Sequence, residues 1–295
     1  MTTIAPPPPA PANPPPPLSP GGRTAVRMTL IVAAVVLVVG AVASLSTVAW
    51  GLSSFRVITD SKPLPAAMRS LVINTGSVPV AVRITADRDA REPRVDLRMV
   101  NSMRAGANPL MVNSDSSETR ITLSGEASTI LDWSRAGELK LILPPDLARR
   151  LSVTTDQEVG VVLANADLDQ LVARTADGEI VLSGAARRIE VHTDTGDVVT
   201  RDPVSVSESF SATTIDGDIK VDLKDAPPRT VDVTSANGDV IVALPATGRY
   251  VVNANTAWEQ GSTVVRVPQT SNREQAAAVV TARSETGDVI IDDLQ

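Results

Sequence analysis

The chain has 295 residues, 43% hydrophobic but only 2% aromatic, with 34 acidic against 27 basic side chains and a net charge of −7. The apolar content suffices for one or two cores, while three Trp, one Tyr and two Phe are too few for the stacking platforms of carbohydrate and single-stranded nucleic-acid binders. The acidity argues against a nucleic-acid partner, and the absence of cysteine excludes disulfides and thiolate metal sites.

Residues 1–27 read as a proline-rich tail, with Pro6 to Pro9, Pro14 to Pro17 and Pro20-Gly21-Gly22. Such a tract samples polyproline II without building a core, as a solvated spacer or as a docking segment for a cytoplasmic partner. Residues 28–52, Met28 to Leu52, carry no charge between Arg27 and Arg56. At about 1.5 Å per residue they are long enough to cross a ~30 Å hydrocarbon layer as one transmembrane α-helix. Arg23 and Arg27 place the N-terminus in the cytoplasm by the positive-inside bias, with Trp50 at the far interface. The expectation is a single-pass cell-membrane protein with an extracytoplasmic C-terminal domain. Cleavage after Ala43, at Ala41-Val42-Ala43, is the signal-peptide alternative. Residues 53–68, with Pro63 and Pro65, read as a juxtamembrane linker.

The β-region is expected over residues 69–295. Alternation or β-branching marks strands at Leu71 to Ile73, Val78 to Ile84, Val95 to Met99, Ile121 to Leu123 and Leu139 to Leu143. Their irregular spacing suits the terminal units of a repeat array. Arg88, Arg91, Arg94 and Arg104 read as a solvated face on the connectors. Leu151, Val153 and Thr155 with Val159, Val161 and Leu163 read as a first rung, in which Gln157 stands at the turn.

The turn glycines Gly178, Gly196, Gly217 and Gly238 then recur at intervals of 18, 21 and 21 residues, and Gly287 closes a fifth copy. Positions seven, five and three before each glycine, and two and four after it, are apolar or small. Gly196, for example, follows Ile189, Val191 and Thr193 and precedes Val198 and Thr200. Period-two alternation on both sides of a turn means strand, turn, strand. Tyr250 to Val252 and Thr263 to Val267 give a further rung, and a polar loop from Pro268 to Gln275 precedes the last copy. A unit of roughly 20 residues cannot bury its apolar stripe alone. The predicted fold class is therefore all-β, a β-solenoid or β-helix-like repeat domain, with an elongated up-and-down sandwich as the alternative. The two differ in whether equivalent glycines stack.

The units of the form Thr-x-x-Gly-Asp-[Val/Ile]-x-[Val/Ile], preceded by Leu141-Ile142-Leu143-Pro144 and an apolar N-terminal run, resemble a bacterial family of membrane-anchored β-repeat proteins labelled "putative adhesin". The resemblance covers about Leu71 to Gln295. It implies a β-repeat fold and an envelope location, and it supplies no catalytic residues.

The acidic residues after the turn glycines, Glu179, Asp197, Asp218, Asp239 and Asp288, form the main polar column. Rungs stacked at the ~4.8 Å spacing of neighbouring strands would bring like charges together. Two offsets are open: hydrogen bonds from turn amides, or Ca²⁺ held by carboxylates and carbonyls. The nonapeptide spacing of the calcium-binding β-roll and the loop of an EF-hand are both missing. A glycoside-cleaving pair could be drawn from Asp194 with Asp197 or Asp216 with Asp218, but the turn consensus already generates such pairs. His192, the single histidine, lies on an outward parity with no nucleophile elbow to serve. Arg149-Arg150 and Arg187-Arg188 read as charge-balancing pairs. The expected function is that of a single-pass cell-envelope protein without enzyme activity or cofactor. Its ectodomain would bind a protein or glycan partner or act as a scaffold, with envelope-stress sensing and a polysaccharide-active enzyme as the alternatives.

Overall fold

Alternating side chains set the elements, because a run that buries every second residue is stable only as a strand laid against a core. The computed structural model describes residues 55–102, 109–115, 117–124, 137–257 and 259–294. The first part of the chain gives β1 (Phe55–Pro63), β2 (Ser70–Gly76), β3 (Val80–Ala86), β4 (Arg94–Ser102), β5 (Leu110–Ser114), β6 (Glu118–Leu123) and β7 (Gly137–Leu143). The short helix α1 (Pro145–Ala148) follows, with proline in its first turn, where the missing N–H costs nothing. The regular array runs from β8 (Ser152–Asn165) through β9 (Leu168–Asp177), β10 (Ile180–Ser183), β11 (Ala185–Thr195), β12 (Val198–Thr200), β13 (Val204–Asp216), β14 (Ile219–Lys224), β15 (Thr230–Asn237) and β16 (Val240–Leu244). It ends with β17 (Tyr250–Thr256), β18 (Thr263–Val265), β19 (Ala278–Ser284) and β20 (Val289–Asp293).

Each repeat sends its strand before the glycine into one parallel sheet, the leading sheet, and its strand after the glycine into another, the trailing sheet. In the leading sheet Thr175, Thr193, Thr214, Ser235 and Ser284 stand in register. In the trailing sheet Ile180, Val198, Ile219, Val240 and Val289 do the same. The core lies between the sheets and is built of stacked equivalents, such as Leu171, Ile189, Phe210, Val231 and Val280, all buried. The parallel register and the stacked glycines make this a solenoid, and the up-and-down sandwich is set aside.

Chain order and stacking order part company at both ends. The pair β2 and β3 lies between β6 and β7 on one side and β8 on the other. At the opposite end, β19 and β20 slot between β15 and β16 on one side and β17 and β18 on the other. Antiparallel strands finish the first end: β5 pairs with β6, and β4 pairs with β7 and then with β1.

Three sequence expectations need correction. Phe55–Pro63 falls within the stretch read as a linker but is strand β1, held along its length by β4; Pro63, its last residue, and Pro65 beyond it disguised an edge strand, where a missing N–H is tolerated. The first regular rung is displaced from its expected register. Gln157 pairs with Thr175, and Val162 pairs with Ile180. Gly160 is therefore the turn glycine, and the inward residues are Val162 and Ala164, which are buried, rather than Val161 and Leu163.

The third correction concerns the membrane. Among the described residues no helix is long and apolar enough to cross one, and the predicted tail at 1–27 and α-helical span at 28–52, with Arg23, Arg27, Ala43 and Trp50, lie outside the described residues. The fold therefore gives no support to a transmembrane helix, an integral membrane partner, a single-pass topology or a cell-membrane location, and none of these is carried forward. Arg104 also lies outside the described residues, while Arg94 begins β4.

Candidate binding surface

The turn glycines form a continuous row because nothing larger fits. A Cβ on Gly217 would lie 2.1 Å from the carbonyl oxygen of Gly196, and Gly196, Gly238 and Gly287 meet the preceding glycine's oxygen at 2.1–2.2 Å. From Thr193 onward, the buried hydroxyl three residues before the glycine reaches the glycine one rung below. Thr193 Oγ1 donates to Gly178 O at 3.1 Å, Thr214 Oγ1 to Gly196 O at 3.0 Å, Ser235 Oγ to Gly217 O at 2.9 Å and Ser284 Oγ to Gly238 O at 2.8 Å. Thr256 Oγ1 donates to Gly287 O at 2.7 Å, which extends the column into the last rung.

The acidic column uses the same stacking. The amides of Asp218, Asp239 and Asp288 each donate to the carboxylate of the preceding rung, Asp197, Asp218 and Asp239 respectively, at 2.8 Å. Ser262 N donates to Asp288 Oδ1 at 2.7 Å. An amide donor at each carboxylate offsets the repulsion along the row. Glu179 shares the position but no such bond. Among the described residues no group of three or more His, Cys, Asp or Glu is gathered closely enough to hold a metal ion.

The other candidates are not brought together. His192 Nε2 lies 3.0 Å from Asp194 Oδ1 on the exposed side of β11. Asp216 accepts from Asn237 Nδ2 at 2.6 Å, and Asp197 serves the amide of Asp218. Arg149 pairs with Asp146. Arg187 bridges Asp169 and Glu208, and Arg188 joins Glu208 at 2.7 Å.

The two outer faces differ in character. One outward row of the leading sheet is polar, with Arg174, His192, Thr213 and Thr234 side by side in register, and Met111 and Ile215 are exposed hydrophobics on the same sheet. On the trailing sheet the third residue after each glycine points outward. Leu163, Val181 and Val199 lie in consecutive rows, followed by Lys220, then Ile241, Ile290 and Val264. Apart from the exposed Lys220, each is partly exposed. At the ~4.8 Å spacing of neighbouring strands, these seven rows make a stripe of roughly 29 Å. The carboxylates of Glu179, Asp197, Asp218, Asp239 and Asp288, two residues nearer the turn and of the same parity, run beside it. The signal was present in the sequence at that third position.

The model of the toastrack DUF4097 family matches residues 104–292. The chain belongs to the toastrack DUF4097 family. Solved structures similar to this toastrack chain include a "putative adhesin" from Bacteroides fragilis, at 12% identity and a TM-score of 0.41 over 81% of this chain and 97% of that one. A "putative adhesin" from Parabacteroides distasonis is similar at 12% identity and a TM-score of 0.42, with the same coverage. A "putative cell adhesion protein" from Clostridium sporogenes is similar at 14% identity and a TM-score of 0.34, over 81% of this chain and all of that one. No curated protein matches the chain. The expected resemblance is thereby narrowed to a toastrack β-repeat domain, and its membrane-anchored part is withdrawn for the reason given above.

Proposed function

We propose that this toastrack domain acts by binding a macromolecule rather than by catalysis, and that the outer face of its trailing sheet is the surface that binds. The observation that carries this reading is the aliphatic stripe from Leu163 to Val264, interrupted only by Lys220 and flanked by a fixed row of carboxylates. Partly exposed aliphatic side chains aligned over roughly 29 Å, three rows on either side of Lys220, form an apolar band of the kind that marks an interaction site. The leading sheet also exposes Met111 and Ile215, but its outward row of Arg174, His192, Thr213 and Thr234 is polar. A catalytic reading lacks its parts. The carboxylates proposed as acid–base pairs are engaged in bonds along the stack or with His192, and among the described residues no metal-holding cluster accompanies them. The chain's family is one of unassigned function rather than a known enzyme fold.

The test is photo-crosslinking in cells that make the protein, with a photoreactive side chain at Val199 or Ile241 and, as the control, at Thr213 or Thr234. Adducts should form from the trailing-sheet positions and not from the leading-sheet ones. Equal labelling from both faces would refute the assignment.

A further inference from the structure

We propose that the occupant of the stripe is an amphipathic α-helix with lysine or arginine along one flank, lying along the stack and across the strands. This rests on the binding reading above and adds the partner's shape and charge.

Shape is decided by spacing. The rows follow one another without a register shift from β8 to β18, so the apolar side chains form a line with a repeat of about 4.8 Å. A helix with apolar residues every 3.5 positions presents one about every 5.2 Å at 1.5 Å per residue. Over six intervals it drifts from the rows by roughly 3 Å, which side-chain rotamers absorb. An extended strand laid the same way presents same-side residues every ~6.7 Å and drifts by roughly 11 Å, skipping two rows. The length of the stripe corresponds to a helix of roughly 19 residues.

Charge selects the flank and excludes two other occupants. Four of the five carboxylates beside the stripe, Asp197, Asp218, Asp239 and Asp288, are held by backbone amides at 2.7–2.8 Å, so little side-chain freedom is lost when a cation meets them. An anionic membrane surface would meet this acidic row with like charge. A second copy is disfavoured by Lys220, which holds the central row of the seven. Either two-fold arrangement in which the two stripes overlap fully sets Lys220 against Lys220, a like-charge contact in an interface centre. In the helix the residue facing Lys220 should instead be acidic.

The experiment uses the full chain and synthetic peptides followed by fluorescence anisotropy at low and high salt. The first peptide is helix-forming, with leucine on one face, lysine on the flank and glutamate at the central apolar position. The second carries glutamate on the flank, and the third has the composition of the first in an alternating, strand-forming order. Phosphatidylglycerol-containing vesicles make a fourth probe.

Binding of the first peptide should weaken at least tenfold in Val199→Glu/Ile241→Glu, whose melting temperature should stay near that of the parent because both side chains face outward. It should also weaken with salt, and Lys220→Glu should shift preference to a peptide with lysine at its centre. Equal or tighter binding of the second peptide, the third peptide or the vesicles overturns the basic-helix assignment. If that binding is nevertheless lost in Val199→Glu/Ile241→Glu, the docking surface itself stands. If no probe responds to Val199→Glu/Ile241→Glu, both readings fall.

Discussion

At the scale of single residues the stack is held by a chemical exchange between neighbouring rungs: a glycine supplies a bare carbonyl, and a threonine or serine on the next rung supplies the hydroxyl. The column is incomplete at one end. The hydroxyls of Thr75, Thr155 and Thr175 and both polar atoms of the Gln157 amide are buried without a hydrogen-bond partner among the described residues. A buried hydroxyl that bonds contributes about 1 kcal/mol net, while one that does not carries only its desolvation cost. Thr214→Val should therefore destabilise the protein by about 1–2 kcal/mol, because Gly196 O loses its donor. Thr175→Val should be neutral or stabilising. Chemical denaturation of the two variants checks the contrast, and equal losses would contradict it. Gly217→Ala is expected to be worse than either, by about 3 kcal/mol or more, since its Cβ would press on backbone rather than on a side chain that can move.

At the scale of elements, salt bridges tie neighbouring leading strands together. Arg187 on β11 reaches Asp169 on β9 and Glu208 on β13, and Arg188 reaches Glu208 as well. The hydrogen bond from Arg187 holds the Asp169 carboxyl below its ordinary range, and those from Arg188 and Arg187 do the same for Glu208. A carboxyl depressed in the folded state stabilises fully above its unfolded pKa and stops doing so as pH falls through its folded value. Arg187→Gln should thus lower the melting temperature slightly at pH 7, by about 1–2 °C for exposed pairs. That difference should close as pH falls below about 4. A gap independent of pH would mean that the arginine acts through packing alone.

This level was also the most legible in the sequence. Alternation plus a recurring glycine located β9 to β16 and β19 to β20, because inward parity and the need for a Cβ-free turn are both written residue by residue. The first rung departs from its expected register because Val159-Gly160-Val161 lacks the acidic residue of the later turns, while Gln157 occupies the hydroxyl position. Strand β1 is not legible locally, because the partner that holds it lies about forty residues away. The aliphatic stripe was equally visible in the letters. Its meaning required knowing that the third position after each glycine lines up across seven rows.

At the scale of the whole molecule the feature least legible in sequence is the order of the rungs. The copy latest in the chain, β19 and β20, is not the outermost; it supports β17 and β18, which lie beyond it. The chain runs out to the last rung through residues 245–249 and returns through residues 266–277. Tyr250, fully buried, fastens that last rung by donating its hydroxyl to Pro245 O at 2.5 Å, and Tyr250 N donates to Pro268 O at 2.9 Å.

Removing different pieces should then have effects opposite to their place in the sequence. A chain ending at Ala277 loses β19 and β20, leaving β17 and β18 with no parallel partner and the edges of β15 and β16 open. It should melt much lower and aggregate through those edges. Excising residues 249–274 removes β17 and β18 together with their loop and leaves β19 and β20 seated on β15 and β16. The short connection from Leu244 to Ala278 then resembles the one that already joins Lys224 to Thr230. That variant should keep a cooperative transition, at a temperature below the parent's and above that of the truncated chain. Thermal unfolding of the three proteins side by side decides the point. A truncated chain as stable as the excised one would mean that the rungs follow chain order after all, since only then would the C-terminal copy be a dispensable end.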